Sequence, residues 1–165
     1  MRLHDVTMQP FEEVVAEHGA VVLRVCRALV GPADADDAWS ETFLAALRAY
    51  PDLRPSSNVR AWLVTIAHRK AIDQLRGASR RATPTPDVPD AGVSDDHLEP
   101  PDAGLFAALA ALPPKQRAAV TYHHVAGLTY AEVGALIETS EAAARRSAAD
   151  GIANLRKTYA RGTTS

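Results

Sequence analysis

The stretch from residue 129 to residue 159 restricts the fold most, because it has the pattern of two helices joined by a short turn. Thr129 and Glu132 have the S/T-x-x-E spacing of a capping box, which predicts that a helix begins there. Ser140 is a preferred N-cap residue and predicts the start of a second helix. In a DNA-binding helix–turn–helix, the N-terminal part of the second helix enters the major groove. Nucleic acid is therefore the leading partner hypothesis.

Apolar residues recur at helical spacing in both helices of this stretch. They are Val133, Leu136 and Ile137 in the first helix and Ala144, Ala148, Ile152, Leu155 and Tyr159 in the second. Arg145 and Arg146 fall off the second stripe, near the start of that helix. The alternative is an ordinary helical hairpin with solvated arginines, and it stays open because the turn lacks the glycine often found in this motif.

Composition indicates an all-α protein, because alanine is abundant and the period-two alternation of strands is nearly absent. There is no run of about 18 apolar residues that would predict a membrane span, and the polar N-terminus has no signal-peptide pattern. The single cysteine, Cys26, lies in an apolar helical run and cannot form an internal disulfide. We expect a cytoplasmic protein without membrane insertion.

Charges are grouped along the chain, although the net charge is only −2. Residues 1–47 hold 3 basic and 8 acidic side chains, and residues 48–81 hold 8 basic and 2 acidic ones. Residues 82–104 hold 6 acidic and no basic side chains, and residues 105–165 hold 7 basic and 4 acidic ones. Two basic blocks separated by an acidic segment predict two contact surfaces for a polyanion.

The N-terminal half begins with two helical patterns. The first covers Phe11 to Val30 and ends at Gly31-Pro32, and its predicted core residues are Val14, Val15, Val21, Val22, Val25 and Leu29. The second follows Asp34 as N-cap and runs to about Tyr50, with a predicted buried face of Trp39, Phe43, Ala46, Leu47 and Tyr50. On another face of this helix, an acidic stripe is formed by Asp34, Asp37 and Glu41.

A third helix is predicted from Val59 to about Arg81. Its inward-facing residues recur every four positions and are Leu63, Ala67, Ala71 and Leu75. A different, basic face carries Trp62, Thr65, Arg69, Asp73, Arg76 and Arg80. Arginines one turn apart can follow phosphates, and an aromatic ring beside them can stack on an unpaired base. The alternative is a salt-bridged surface helix with Trp62 buried in the core.

These patterns divide the chain into two small helical domains, at residues 9–81 and 102–161, joined by a flexible acidic linker at residues 82–101. The linker is rich in proline and aspartate and has almost no large apolar residue, so it cannot bury enough surface to order itself. In the second domain, Asp102 is the predicted N-cap of a helix through Leu112, and Pro114 begins a helix that runs to about Val125.

The sequence has no pattern of catalytic residues. It lacks the GxxxxGK[ST], GxGxxG and GxSxG motifs, so we expect neither an enzyme nor a cofactor, and no small-molecule substrate. His123 and His124 are adjacent and would point about 100° apart on a helix, so they cannot easily share one metal ion. The other histidines are scattered, and we expect no metal site.

Four segments follow one another in the order typical of one protein family. DADDAWSETFLAALR at 34–48 is similar to the pattern D-A-E-D-L-V-Q-E-T-F, and NVRAWLVTIAHRKAIDQLR at 58–76 is similar to F-R-A-W-L-x-x-I-A-R-N-x-A-x-D-x-L-R. ALPPKQRAAV at 111–120 resembles L-P-P-x-x-R, and GLTYAEVGALI at 127–137 resembles G-L-S-Y-x-E-I-A-x-x-L. In this order the chain resembles the extracytoplasmic-function (group four) sigma factors of bacterial RNA polymerase, over about residues 9–159.

The resemblance implies roles for particular residues. Binding to the β′ subunit of core polymerase is implied for Asp34, Asp37 and Glu41. Opening of the downstream promoter element is implied for Arg60, Trp62, Arg69, Lys70, Asp73 and Arg76. Reading or positioning of upstream DNA is implied for Ser140, Glu141, Arg145 and Arg146. Sigma factors of this group are commonly held by an anti-sigma factor, so such a partner is implied as well.

The sequence departs from the family pattern in the turn and in the last helix. Glu138 stands where the turn usually has glycine, and RSAADGI at 146–152 replaces the usual S-R-L-H-R-A-R. The exchange removes basic positions around Ser147, Ala148 and Ala149 and puts Asp150 where a cation is usual. We therefore expect upstream binding to be weak, altered or replaced by a protein contact. The leading hypothesis is an RNA polymerase sigma factor that directs promoter recognition and transcription initiation. Its rivals are a sigma-like DNA-binding regulator that does not direct initiation and a helical interaction protein that binds no DNA.

Overall fold

A computed structural model describes residues 8–81 and 103–162, and every regular element in these two ranges is helical. The helices are α1 (Phe11–Val30), α2 (Ala35–Ala49), α3 (Val59–Arg81), α4 (Ala103–Ala110), α5 (Pro114–Val120), α6 (Tyr130–Leu136) and α7 (Glu141–Gly162). A 3₁₀ turn (Tyr50–Asp52) follows α2, and a π-helical turn (Thr121–Val125) extends α5. The all-α prediction is confirmed. The predicted linker lies outside the described residues.

The first unit consists of α1, α2 and α3, which pack around one apolar cluster. Val14, Val22, Cys26, Leu63 and Ala67 are fully buried in it. The aromatic side chains of α2 close one side: the Trp39 indole donates a hydrogen bond of 2.9 Å to the Gly19 carbonyl, and its ring lies 4.6 Å from that of Phe43. Burial raises the pKa of the Cys26 thiol to about 12, so this cysteine behaves as an apolar core residue.

Two predictions of burial in this unit are wrong, and one capping prediction holds for the position only. Leu47 and Leu75, predicted to be buried, are 52% and 48% exposed. Leu47 lies about 100° around α2 from the buried Ala46, on a side that no described helix covers. Leu75 lies on the last turns of α3, where the helix borders an open groove. Asp34 does occupy the N-cap position of α2, but its backbone is αR (φ −102°, ψ −5°), so its side chain makes no capping hydrogen bond.

In the second unit, α7 packs against both α5 and α6. Gly151 sits where α7 crosses α5, and a Cβ at this position would lie 2.6 Å from Cγ2 of Val120. Beside this crossing, the Asn154 amide donates a hydrogen bond of 2.8 Å to the Gln116 side chain. The close crossing therefore requires glycine, which gives a packing reason for part of the departure from the family pattern at 146–152.

The helix–turn–helix prediction is confirmed in its local geometry. The Glu132 amide donates to the Thr129 hydroxyl (3.1 Å), and the Thr129 amide donates to the Glu132 carboxylate (3.0 Å), completing the capping box. Ser140 caps α7, because its hydroxyl accepts from the Ala143 amide at 3.0 Å. Between the two helices Glu138 is left-handed, with φ of 60°.

A Schellman-type hydrogen bond closes this turn. The Thr139 amide donates to the Gly134 carbonyl at 2.8 Å, a bond that spans the left-handed residue at the end of α6. A Cβ on Gly134 would lie 2.8 Å from the Thr139 carbonyl oxygen, so the turn folds back tightly onto α6. Glu138 thus occupies a left-handed position, a backbone conformation that glycine adopts at the lowest energetic cost.

The two units share buried side chains. Val25 of α1 and Val64 of α3 are fully buried in a cluster with Tyr122 of the π-helical turn and with residues of α5, α6 and α7. Ala28 of α1 lies in a further cluster with Leu109 and Leu112. Two helices of the first unit, α1 and α3, therefore contribute to the core of the second. The division into two domains at residues 9–81 and 102–161 stays a prediction.

We predict that Glu138→Gly stabilises the protein. The left-handed conformation costs a residue with a Cβ about 1–2 kcal/mol, and glycine avoids this cost. Glycine also raises the entropy of the unfolded chain, which lowers the free energy of unfolding by about 0.4–1 kcal/mol. The net gain should be about 0.5–1 kcal/mol, measured by urea denaturation. Glu138→Ala is the control, because it removes the carboxylate and keeps the Cβ. Equal or lower stability of the glycine variant relative to the alanine variant would contradict the prediction.

Candidate nucleic-acid interface

The acidic stripe of α2 is exposed. Asp34, Asp37 and Glu41 all face solvent, on the side of the helix away from the buried Ala35, Ala38 and Ala46. Leu44 continues the row one turn beyond Glu41 and is 55% exposed. An exposed apolar side chain beside a row of carboxylates is a surface that suits a protein partner better than a nucleic acid.

The basic face of α3 borders an open groove of about 870 Å³. Four predicted site residues line the groove on the α3 side, namely Trp62, Arg69, Asp73 and Arg76. The opposite side comes from α5, α6 and the turn after α6. Trp62 is half-buried, with its ring 6.2 Å from that of Tyr50, so it is neither a full core residue nor a free surface residue.

Arg60 and Lys70, also predicted for this face, do not line the groove. The Arg60 guanidinium lies instead near Gly127, where it would be 3.6 Å from a Cβ. It also lies close enough to His18 to lower the pKa of that histidine, although burial is the larger cause of the shift. Lys70 is half-buried about 100° around the helix from Arg69. The predicted set thus divides into four residues at the groove and two away from it.

At the bottom of the groove the two units meet in a polar contact. The Tyr122 hydroxyl forms a hydrogen bond with Nδ1 of His68. Burial lowers the pKa of His68, Arg69 lowers it further, and Glu138 opposes the shift. Burial also raises the pKa of Tyr122 beyond its usual range, with a smaller contribution from Cys26. Both side chains are therefore held neutral, which allows the hydroxyl to donate to the imidazole.

The start of α7 carries the predicted upstream-DNA residues, and the structure places them close together. The Ser140 hydroxyl is engaged in capping. Glu141 and Arg145 form an i,i+4 ion pair of 3.3 Å, with both side chains more than half exposed. Arg146 is exposed one position further on. Asp150 is exposed as well, and within the described residues it makes no ion pair with Arg146.

Sequence reasoning missed two aromatic side chains at this end of the molecule. The Arg145 guanidinium lies over the ring of Tyr130, 5.1 Å from its centroid. The Tyr130 ring stacks in turn on His123, with centroids 3.8 Å apart and planes 13° apart. His123 is fixed by a hydrogen bond of 2.8 Å between its Nδ1 and the Leu128 carbonyl. No local pattern in the sequence signals these contacts, because they join side chains of three different elements.

Other kinds of site find no support in the described ranges. No group of three or more His, Cys, Asp or Glu side chains within residues 8–81 and 103–162 is arranged to hold a metal ion. His123 and His124 pack edge to face at 4.8 Å, and the pKa of His124 is lowered by burial and by the neighbouring His123. Among the helices described, none is long and apolar enough to cross a membrane.

Comparison with known proteins identifies the two units. The family model for sigma-70 region 2 matches residues 14–81, and that for sigma-70 region 4 matches residues 104–155. Together they cover α1 to α3 and α4 to most of α7. The chain belongs to the extracytoplasmic-function group of the sigma-70 family. It is an RNA polymerase sigma factor, and the rival hypothesis of a regulator that does not direct initiation is not favoured.

Individual relatives agree with this assignment. The chain is 34% identical to the RNA polymerase sigma factor CarQ of Myxococcus xanthus, over 94% of this chain and 92% of CarQ. It is 32% identical to the sigma factor SigE of Mycolicibacterium smegmatis, over 79% of this chain and 54% of SigE.

Two solved structures share the fold. One is CnrH in complex with the cytosolic domain of CnrY, with a TM-score of 0.66, 24% identity and coverage of 92% of this chain and 88% of the other. The second is the sigma factor RpoE of Bartonella quintana in complex with the anti-sigma factor NepR, with a TM-score of 0.68 and 21% identity. The latter match covers 88% of this sigma factor and 96% of RpoE.

The His68–Tyr122 contact predicts a dependence of stability on pH. The pKa of His68 is lowered from its ordinary value of 6.5, so the unfolded chain binds more protons than the folded protein as the pH falls below that value. The free energy of unfolding must then decrease on acidification through this window. His68→Gln keeps a hydrogen-bond acceptor and removes the titration, so it should lose less stability than wild type between pH 7.5 and pH 5.5, an interval of about one unit either side of the ordinary histidine pKa. Equal losses in urea denaturation would contradict this prediction.

Proposed function

We propose that this sigma factor uses three separate faces for three contacts during transcription initiation. The acidic row of α2 binds core polymerase, the groove face of α3 acts on the downstream promoter element, and the start of α7 contacts the upstream element. The observation that carries the proposal is the separation of these faces. Carboxylates and an exposed leucine lie on α2, whereas the arginines lie on α3 and α7. The protein acts in the cytoplasm as a non-enzymatic subunit.

Run-off transcription with reconstituted holoenzyme tests the proposal as a whole. Core polymerase with this protein should produce specific transcripts from fragments of the host genome, and core polymerase alone should not. A protein that binds the same fragments without yielding transcripts would be the rival DNA-binding regulator. A protein that neither binds DNA nor yields transcripts would be a helical interaction protein.

The α2 face suits core binding because its charges lie beside apolar surface. Asp37 and Glu41 project from the same side as Leu44, so a partner with basic residues around an apolar patch would match it. Charges at the rim of an interface act mainly on the association rate and its salt dependence, whereas a buried apolar anchor supplies affinity. We assign the carboxylates to steering and Leu44 to anchoring.

Charge reversal at Asp37 and Glu41 should weaken binding to core polymerase, mainly through a slower association rate that depends less on salt. Surface plasmon resonance with immobilised core polymerase measures both quantities. The matched control is Asp36→Lys, because Asp36 is exposed in the first turn of the same helix but lies about 100° from Asp37. Equal effects of Asp37→Lys and Asp36→Lys would remove the assignment of this row.

The groove face of α3 combines two arginines with a half-buried tryptophan. Arg69 and Arg76 lie about two turns apart and can contact successive phosphates of one strand. Trp62 presents part of its ring on the same side, next to Tyr50, where an unstacked base can pack against it. Arg60 and Lys70, which lie away from the groove, are proposed to make peripheral backbone contacts.

Upstream DNA is proposed to meet α7 at Arg145 and Arg146, with Ser140 and Glu141 at the helix start. The Ser140 hydroxyl is engaged as a cap, so its contribution is to fix the helix start. Glu141 pairs with Arg145 and orients it. Asp150 lies one turn beyond Arg146 on the exposed side, where a carboxylate would repel a nearby phosphate.

Asp150→Arg should tighten promoter binding by the holoenzyme roughly equally across sequences, and should steepen its salt dependence by about one phosphate contact. Arg145→Ala should weaken binding and reduce the slope. A salt titration of holoenzyme binding to a promoter duplex, selected by wild-type holoenzyme from a randomised pool, measures both. Equal slopes for wild type and the two variants would mean that α7 does not dock on DNA in this way.

An anti-sigma factor is a further proposed partner. RpoE of Bartonella quintana, which shares the fold, was solved in complex with the anti-sigma factor NepR. Such an inhibitor would have to cover at least one of the three faces. Competition between core polymerase and the product of a neighbouring gene for the purified protein would test this partner.

A further inference from the structure

Four side chains form a continuous column beside the start of α7. Glu141 and Tyr130 both contact the Arg145 guanidinium, one through an ion pair of 3.3 Å and the other through its ring face at 5.1 Å. His123 stacks against the same Tyr130 ring at 3.8 Å. The column therefore links the π-helical turn, the first turn of α6 and the first turn of α7.

Each member of the column is itself held in place. Tyr130 is the first residue of α6, directly after the Thr129 cap, so the capping box fixes its backbone. His123 is held through the hydrogen bond to the Leu128 carbonyl. Arg145 is 61% exposed at its side chain, so without these neighbours its long side chain would sample many rotamers.

We propose that Tyr130 is a positioning residue for upstream DNA recognition, which acts by holding Arg145 in its DNA-contacting conformation through a cation–π contact. His123 supports the Tyr130 ring by stacking against it. The inference rests on the proposed role of Arg145. An arginine that is already oriented loses less conformational entropy on binding. If Arg145 loses this orientation, DNA binding should be weaker and should discriminate less between bases.

The chemistry of the contact predicts which substitutions are tolerated. A guanidinium is attracted by the ring face and not by the phenolic hydroxyl, so phenylalanine should replace tyrosine at position 130. Leucine keeps an apolar side chain and removes the ring face. An exposed cation–π contact corresponds to about a two- to five-fold change in an equilibrium constant.

The test measures binding of complete holoenzyme to the selected promoter duplex at one fixed salt concentration. Tyr130→Leu should weaken binding about two- to five-fold, and Tyr130→Phe should stay within about twofold of wild type. In an Arg145→Ala background, Tyr130→Leu should have no further effect, because its target is gone. Tyr130→Leu should also reduce the penalty for substituted upstream base pairs. Circular dichroism establishes that each variant is folded.

The outcomes separate this inference from the proposed function. No effect of Arg145→Ala would remove the upstream role of Arg145 and the present inference with it. A clear effect of Arg145→Ala, with Tyr130→Leu equally damaging in both backgrounds, would leave the upstream role intact and overturn the inference alone. Equal losses in Tyr130→Phe and Tyr130→Leu would also overturn it, because they would indicate a contact made by the hydroxyl.

Discussion

The arrangement of the molecule depends on one helix that is buried on two sides. In α1, Val22 and Cys26 lie in the core of the first unit, whereas Val25 lies in that of the second. Neighbouring positions on a helix point about 100° apart, so Val25 and Cys26 can serve different cores only if a unit packs on each side. In α3, Val64 likewise lies in the core of the second unit. Together they bring the groove face of α3 opposite α5 and α6.

Local sequence patterns predicted the helices well. The main errors concern which side chains are covered by neighbouring helices. The bounds of α1 and α3, the capping box at Thr129 and the cap at Ser140 all follow from neighbouring residues in the sequence. Leu47 has the right spacing for a core position, but periodicity does not tell how wide a stripe the neighbouring helices cover. The contact between His68 and Tyr122 joins residues 54 positions apart, for which a single sequence carries no local signal.

The atypical last helix has a packing explanation for one residue and none for another. Gly151 is required because α7 crosses α5 closely at Val120, so a side chain at this position would displace a buried neighbour. Asp150 has no such reason, because it is exposed and makes no ion pair with Arg146 among the described residues. In the turn, Glu138 keeps the left-handed geometry of the usual glycine at an energetic cost. The fold thus preserves the backbone of the motif while the side chains differ from the pattern.

In the proposed docking of α7 on DNA, these constraints leave the helix few side chains for contacts. Ala144, Ala148, Gly151 and Leu155 are buried on one face of the helix, and small residues dominate there because α5 and α6 lie close. On the exposed side the first three turns offer only Arg145 and Arg146 as cations. With so few contacts, DNA binding in this proposed arrangement depends strongly on how well each side chain is oriented before binding. Under the proposed role of Arg145, its contacts to Glu141 and Tyr130 should therefore matter more in this chain than they would in a helix lined with basic residues.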